Sequence, residues 1–259
     1  MRGKRIKEKM RTGQPVFTTA LAFYAPRLVE MLARSGADQI FLDAEHGPLS
    51  ERECEDMVRA ADLFDIPVSI RVPVNEPHVI LRYLDIGTSS IMVPHVTTRV
   101  DAERAVRAVK YPPEGERGFA PGRGAELLGL GPVEYMQRAN EETVVLALFE
   151  DVAGVDEIEA ICHVEGVDGL FVGAFDLASS MGYPGQPWHT EVQAVVGRVR
   201  ETCRANGMPF GTVPRDRADL RTQIEQGCQL ISLGTLQWGI EATREVVADL
   251  SEVSCARTR

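Results

Sequence analysis

Eight short apolar runs alternate with eight amphipathic stretches between residues 17 and 250, and this alternation constrains the fold more than any other feature. The runs fall at 17–23, 39–45, 68–73, 90–95, 144–150, 169–175, 209–213 and 230–234. Each is rich in β-branched or other apolar residues and is bounded by Gly, Pro or polar residues, as buried parallel strands are. The stretches at 26–35, 51–64, 77–86, 101–110, 152–163, 190–206, 217–226 and 237–250 carry helical spacing. Eight strand–helix units in 259 residues predict an α/β chain folded as a (β/α)8 TIM barrel rather than an open doubly wound sheet. No G-x-G-x-x-G follows the first run, which argues against a dinucleotide fold.

Residues 1–259 read as one domain. A short basic helix over about 1–12 covers one end, and the insertion at 111–143 is too long for a simple helix-to-strand connection. A net charge of −10 argues against nucleic acid as a partner, because no surface would neutralise phosphates. No apolar run approaches the roughly 20 residues of a membrane helix, and the N-terminus lacks the apolar core of a signal peptide. The five cysteines (54, 162, 203, 228 and 255) are odd in number and lack metal spacing, as expected of reduced thiols in a cytoplasmic protein.

In such barrels the chemistry gathers at the C-terminal ends of the strands. The second run leads into Asp43, Glu45 and His46 before a Gly47-Pro48 turn, and the third carries Arg71. The fourth ends at His95, the fifth at Glu150, and the sixth leads through Gly173 and Phe175 to Asp176. A cation in a buried strand needs an anionic partner, so Arg71 requires one. Glu150 and Asp176, from adjacent strands, can share a hard divalent ion such as Mg²⁺ or Mn²⁺. A network of arginine and carboxylates that merely closes the barrel is the alternative. The only lysines, at 4, 7, 9 and 110, fall on no expected strand, so Schiff-base chemistry is not available. Stabilising a carbanion or enolate therefore falls to a metal and Arg71. Trp238, after the eighth run, either packs in the fold or walls the pocket, and Arg123 in the insertion is either a solvated arginine or a contact for the acidic far end of a substrate.

Along residues 13–249 the sequence resembles the HpcH/HpaI aldolase family of metal-dependent class II aldolases acting on pyruvate-type enolates. The segments that carry the resemblance begin with Asp43-Ala44-Glu45-His46-Gly47-Pro48, the run from Arg71 to Pro77, and Leu84-Asp85-Ile86-Gly87. The run from Tyr111 to Gly118, Val164 to Gly169, and Met181-Gly182-Tyr183-Pro184-Gly185 complete the set. The resemblance implies a trimer-based homo-oligomer, often a hexamer, with exchanged C-terminal helices. It also implies that Glu150 and Asp176 ligate a divalent Mg, Mn or Co ion, and that Arg71 binds the keto or enolate oxygen. His46, oriented by Asp43, would be the acid/base, Glu45 would hold a water on the metal, and the N–H groups of Phe175 and Asp176 would hold a carboxylate. The chain departs from the family at Leu148, where glutamine is usual, at Ala174-Phe175 before Asp176, at His95, and at Leu236-Gln237-Trp238.

These residues point to a metal-dependent carbon–carbon lyase that cleaves or forms 4-hydroxy-2-oxo acids from a 2-oxo acid and an aldehyde. One alternative is a decarboxylating or coupling enzyme resembling macrophomate synthase, or a CoA-thioester lyase. Another is a non-catalytic metabolite-binding barrel, which Leu148 encourages.

Overall fold

The computed structural model describes residues 2–256, with side chains through residue 249. The eight strands form as β1 (Val16–Leu21), β2 (Gln39–Asp43), β3 (Val68–Arg71), β4 (Ser90–Val93), β5 (Val144–Phe149), β6 (Gly169–Val172), β7 (Phe210–Thr212) and β8 (Leu230–Gly234). Each pairs in parallel with the next, and β8 returns to β1, closing a (β/α)8 barrel. Most strands end earlier than the apolar runs suggest, so Glu45, His95, Glu150 and Phe175 stand beyond the last laddered residue. Pro73 and Pro94 illustrate the cause, since neither has the N–H that a longer ladder would need.

The helices are α1 (Gly3–Arg11), α2 (Pro26–Leu32), α3 (Glu51–Asp62), α4 (Pro77–Asp85), α5 (Arg99–Val109), α6 (Arg123–Leu128), α7 (Pro132–Glu142), α8 (Ile158–Cys162), α9 (Ala174–Ser180), α10 (Thr190–Ala205), α11 (Arg217–Glu225) and α12 (Thr235–Ala256). Capping boxes start two of them, Ser50 with Glu53 at α3 and Thr98 with Asp101 at α5, each satisfying orphan backbone donors.

Two apolar layers hold the barrel. Outward-facing Leu42, Ile70, Ile91, Val145 and Val172 pack with helix residues such as Met57 and Ile80. Burying each such side chain contributes ~1.5–3 kcal/mol. Inward-facing Met92, Leu146, Leu148, Phe171 and Leu230 fill the interior, and α1 plugs its N-terminal end with Ile6 and Met10.

One segment differs from expectation. Residues 152–163 form no continuous helix, but a 3-10 turn (Val152–Gly154) followed by the short α8. Gly154 is pressed so closely on Thr97 that a Cβ would lie 2.6 Å from the Thr97 carbonyl oxygen, and Asp151 caps the turn at the Ala153 N–H. The insertion at 111–143 contains α6 and α7. The Tyr111, Phe119 and Tyr135 rings pack edge-to-face or tilted at 6.1–6.2 Å, with the Arg117 guanidinium 4.5 Å over Tyr111.

At the other end of the chain, α12 leaves the barrel after β8 and exposes Leu236, Ile240 and Val246. No helix among the described residues is long and apolar enough to cross a membrane.

Candidate active site

The register of the barrel builds the site. Asp43 is paired with Arg71 across β2 and β3, so both side chains rise on the inner face at the same height. Arg71 Nε donates to Asp43 Oδ1 at 2.9 Å and an Nη donates to Oδ2 at 2.5 Å, a two-point clamp in which each side chain is 13% exposed. Glu45 Oε2 lies 3.2 Å from Arg71 Nε. Burial works against the Asp43 charge, but the guanidinium and two backbone N–H groups outweigh it and hold the carboxyl below its usual range.

Those N–H groups belong to Glu45 and His46 and donate to Asp43 Oδ1 at 3.1 and 3.2 Å. Asp43 therefore ties the loop after β2 back on itself. Gly47 makes this turn possible, because a Cβ there would meet the Asp43 carbonyl oxygen at 2.3 Å and that of Ala22 at 2.6 Å. The loop turns the His46 ring towards α9, where Nε2 lies 3.5 Å from Asp176 Oδ2. Asp43 thus grips the His46 main chain, while the carboxylate beside the ring is Asp176.

Glu150 stands just past β5 and is almost wholly buried. Its Oε1 accepts the His95 main-chain N–H at 2.9 Å and lies 3.1 Å from His95 Nδ1. The other face of that ring, Nε2, is 3.3 Å from Glu45 Oε1. Ligand atoms of Glu45, His95 and Glu150 all lie within 4.8 Å of one another. Glu150 Oε2 is buried without a hydrogen bond, whereas Glu45 Oε2 faces the Arg71 guanidinium. Gly173 leaves the space beside Glu150, since a Cβ there would sit 2.9 Å from Oε2. Burial raises the pKa of both glutamates. A buried carboxylate with an uncommitted oxygen, as at Glu150, suits a divalent cation, which would restore the favourable electrostatics it lacks.

Beneath these groups is a cavity of about 390 Å³ lined by Asp43, His46, Arg71, Gly173, Phe175 and Asp176 at its mouth. Its walls include Gln39, Phe41, Met92, Leu146, Leu148 and Phe171. Leu148, two residues before Glu150, closes the cavity below it with an apolar surface. The wall residues two and four positions before Asp43 were readable from the period-2 pattern, which sends Gln39 and Phe41 to the same face.

Two candidates lie elsewhere. Arg123 starts α6, where it pairs with Asp62 at 2.5 Å and donates to the Ile86 carbonyl at 2.9 Å. Both partners close helices at the end of the barrel opposite the cavity, so Arg123 anchors the insertion instead of reaching a substrate there. Trp238 is half-buried on α12 and does not line the cavity, whereas Trp188 packs edge-to-face on Phe175 at 5.7 Å. Lys110, whose pKa burial lowers to about 8, also belongs to the far end. There its ammonium donates to the carbonyls of Asn140 and Thr143, ahead of β5.

A closed parallel barrel with a buried arginine–carboxylate clamp, two histidines and further acids at its C-terminal mouth defines a barrel enzyme with an acid-lined site. The chain belongs to the HpcH/HpaI aldolase/citrate lyase family, whose pattern it matches over residues 21–237. It is a carbon–carbon lyase of the aldolase type, in a family that depends on divalent metal. It is 34% identical to 5-keto-4-deoxy-D-glucarate aldolase of Salmonella newport (strain SL254), over 88% of this chain and 89% of that one. The crystal structure of an HpcH/HpaI aldolase/citrate lyase family protein from Burkholderia cenocepacia J2315 is 33% identical, with a TM-score of 0.89 over 95% of this chain and 99% of the other. The citrate synthase SbnG is 30% identical, with a TM-score of 0.83 over 95% and 98% of the two chains.

Proposed function

We propose that the chain cleaves, or forms in reverse, 4-hydroxy-2-oxo acids, with pyruvate or a close analogue as one product and an aldehyde as the other. The observation that carries this reading is Glu150, buried at the barrel mouth beside Arg71 with one oxygen uncommitted. Glu150 and Asp176 hold a divalent Mg, Mn or Co ion. That ion, when bound, supplies Lewis-acid polarisation of the 2-oxo acid and acidifies the carbon next to its carbonyl.

The protein side chains do the rest. Arg71, fixed by Asp43, places positive charge where the substrate oxygen becomes anionic. His46 takes the proton from the 4-hydroxyl in cleavage and returns it in synthesis, directly or through a water positioned by Glu45. Asp43 sets where His46 begins, and Asp176 faces its ring. The main-chain N–H groups of Phe175 and Asp176 hold the substrate carboxylate.

The likeness to citrate synthase SbnG favours a second reading, in which the same site joins the enolate of an acyl thioester to a 2-oxo acid. A panel of 4-hydroxy-2-oxo acids, assayed for released pyruvate, separates the two. Pyruvate release with first-order dependence on enzyme supports cleavage. Citrate and free CoA formed from oxaloacetate, acetyl-CoA and water, with no pyruvate released from any member of the panel, would replace it.

The chain works as one domain in the cytoplasm, its cysteines reduced, and as a homo-oligomer, a trimer or hexamer. The apolar residues that α12 leaves uncovered support the oligomer, since a helix with such a face needs a cover.

A further inference from the structure

We propose that the His95 imidazole is itself a ligand of the ion held at Glu150, through Nδ1. This rests on the reading of Glu150 as a metal residue and adds a nitrogen donor to it.

His95 aims two groups at one carboxylate. Its backbone is left-handed, with φ of 54°, a conformation that few non-glycine residues adopt, histidine more readily than most. In that conformation both the main-chain N–H and ring Nδ1 approach Glu150 Oε1, at 2.9 and 3.1 Å. Neighbouring ligands on an octahedral ion, each about 2.1 Å from the metal, stand about 3 Å apart. The Nδ1–Oε1 separation matches that edge. Glu150 is fixed and almost wholly buried, with its second oxygen uncommitted.

Glu45 supplies the support that a ligating imidazole usually has. Its Oε1 lies 3.3 Å from Nε2, on the far side of the ring from Glu150. A hydrogen bond from Nε2–H to Glu45 leaves the proton on Nε2 and the Nδ1 lone pair facing the ion. Arg71 holds the other Glu45 oxygen, so the carboxylate that orients the ring is itself anchored. An imidazole nitrogen is a softer donor than carboxylate or water, so it shifts preference from Mg²⁺ towards Mn²⁺, Co²⁺ and heavier ions.

Electron spin-echo spectroscopy of the Mn²⁺-loaded protein, with calorimetric titration of Mn²⁺ and Mg²⁺ into the apoprotein, tests this. His95→Gly and His95→Asn both tolerate the left-handed backbone, and far-UV circular dichroism identifies a variant that keeps the fold. The wild type shows a directly coordinated nitrogen, which both variants lose. Mn²⁺ affinity falls about 10- to 100-fold, while Mg²⁺ affinity falls less. Nitrogen coupling that survives in a folded His95 variant, or Mn²⁺ affinity unchanged in it, overturns the proposal. Glu150→Gln separates the two levels. If it abolishes Mn²⁺ binding while the His95 variants bind as wild type, only the ligand assignment fails. If Glu150→Gln binds Mn²⁺ as wild type does, the metal reading of Glu150 fails, and this proposal fails with it.

Discussion

Asp43 and Arg71 sit side by side in register on neighbouring strands and close a two-point ion pair inside the barrel mouth. The same Asp43 oxygen that accepts from Arg71 Nε also accepts the Glu45 and His46 main-chain N–H groups. One carboxylate thus fixes both the cation of the site and the loop that carries its imidazole.

Asp43→Asn keeps the shape but leaves Arg71 short of countercharge. Losing one partner of a buried pair costs ~3–5 kcal/mol, which urea unfolding at neutral pH would read as a lower midpoint. The sign with pH follows from the lowered Asp43 pKa. The native state holds this proton less tightly than the unfolded chain, so its contribution is present above the unfolded value and is lost as pH falls through the native one. The stability gap between wild type and variant should therefore narrow on acidification; a gap independent of pH would show that the pair is not charged.

His46→Gln removes the group that moves the hydroxyl proton while leaving the main-chain bonds of its loop in place. Turnover should fall by ~10²–10⁴-fold, with circular dichroism unchanged. Steady-state cleavage rates check this, and wild-type turnover in the variant would remove His46 from the chemistry.

Lys110 has the lowered pKa sought in a Schiff-base lysine, yet it lies at the wrong end of the barrel. Borohydride with pyruvate should leave activity intact, and Lys110→Met should still turn over. Between about 8 and 10.5 the unfolded chain holds more of this proton than the native one, so the Lys110 contribution to stability rises with pH. Unfolding midpoints of wild type relative to Lys110→Met, followed across that window, should climb. Inactivation by borohydride would instead point to an imine.

Leu236 and Ile240 are one helical turn apart on the exposed side of α12. If they cover a neighbouring subunit, glutamate at both positions should lower the mass seen by light scattering after gel filtration. A wild type already monomeric, or a variant of unchanged mass, contradicts the assembly.

The barrel was legible because each strand and helix carries its own period, and eight such units leave few architectures. The acid and imidazole groups were legible because residues at strand C-termini share one mouth whatever the register. Pairings between strands were not, since Arg71 and Asp43 lie 28 positions apart and only the ladder makes them neighbours. The same applies to the His46 ring, whose direction is set by a turn requiring Gly47 and not by its spacing from Asp43. Arg123 misled for a related reason. An arginine in an insertion reads as free to reach a substrate, yet its partners Asp62 and Ile86 lie at the ends of two different helices. His95 was visible at a strand end, but its approach to both Glu45 and Glu150 depends on a backbone conformation that no residue pattern announces.

The most direct test is pyruvate release from 4-hydroxy-2-oxo acids by chelator-stripped protein, before and after adding back Mg²⁺, Mn²⁺ or Co²⁺, for wild type and Glu150→Gln. Stripped wild type should be inactive and recover with metal, while stripped Glu150→Gln stays inactive at metal concentrations that saturate the wild type. Full turnover in the stripped wild type, or full recovery of Glu150→Gln, would contradict a metal-dependent lyase site built on Glu150.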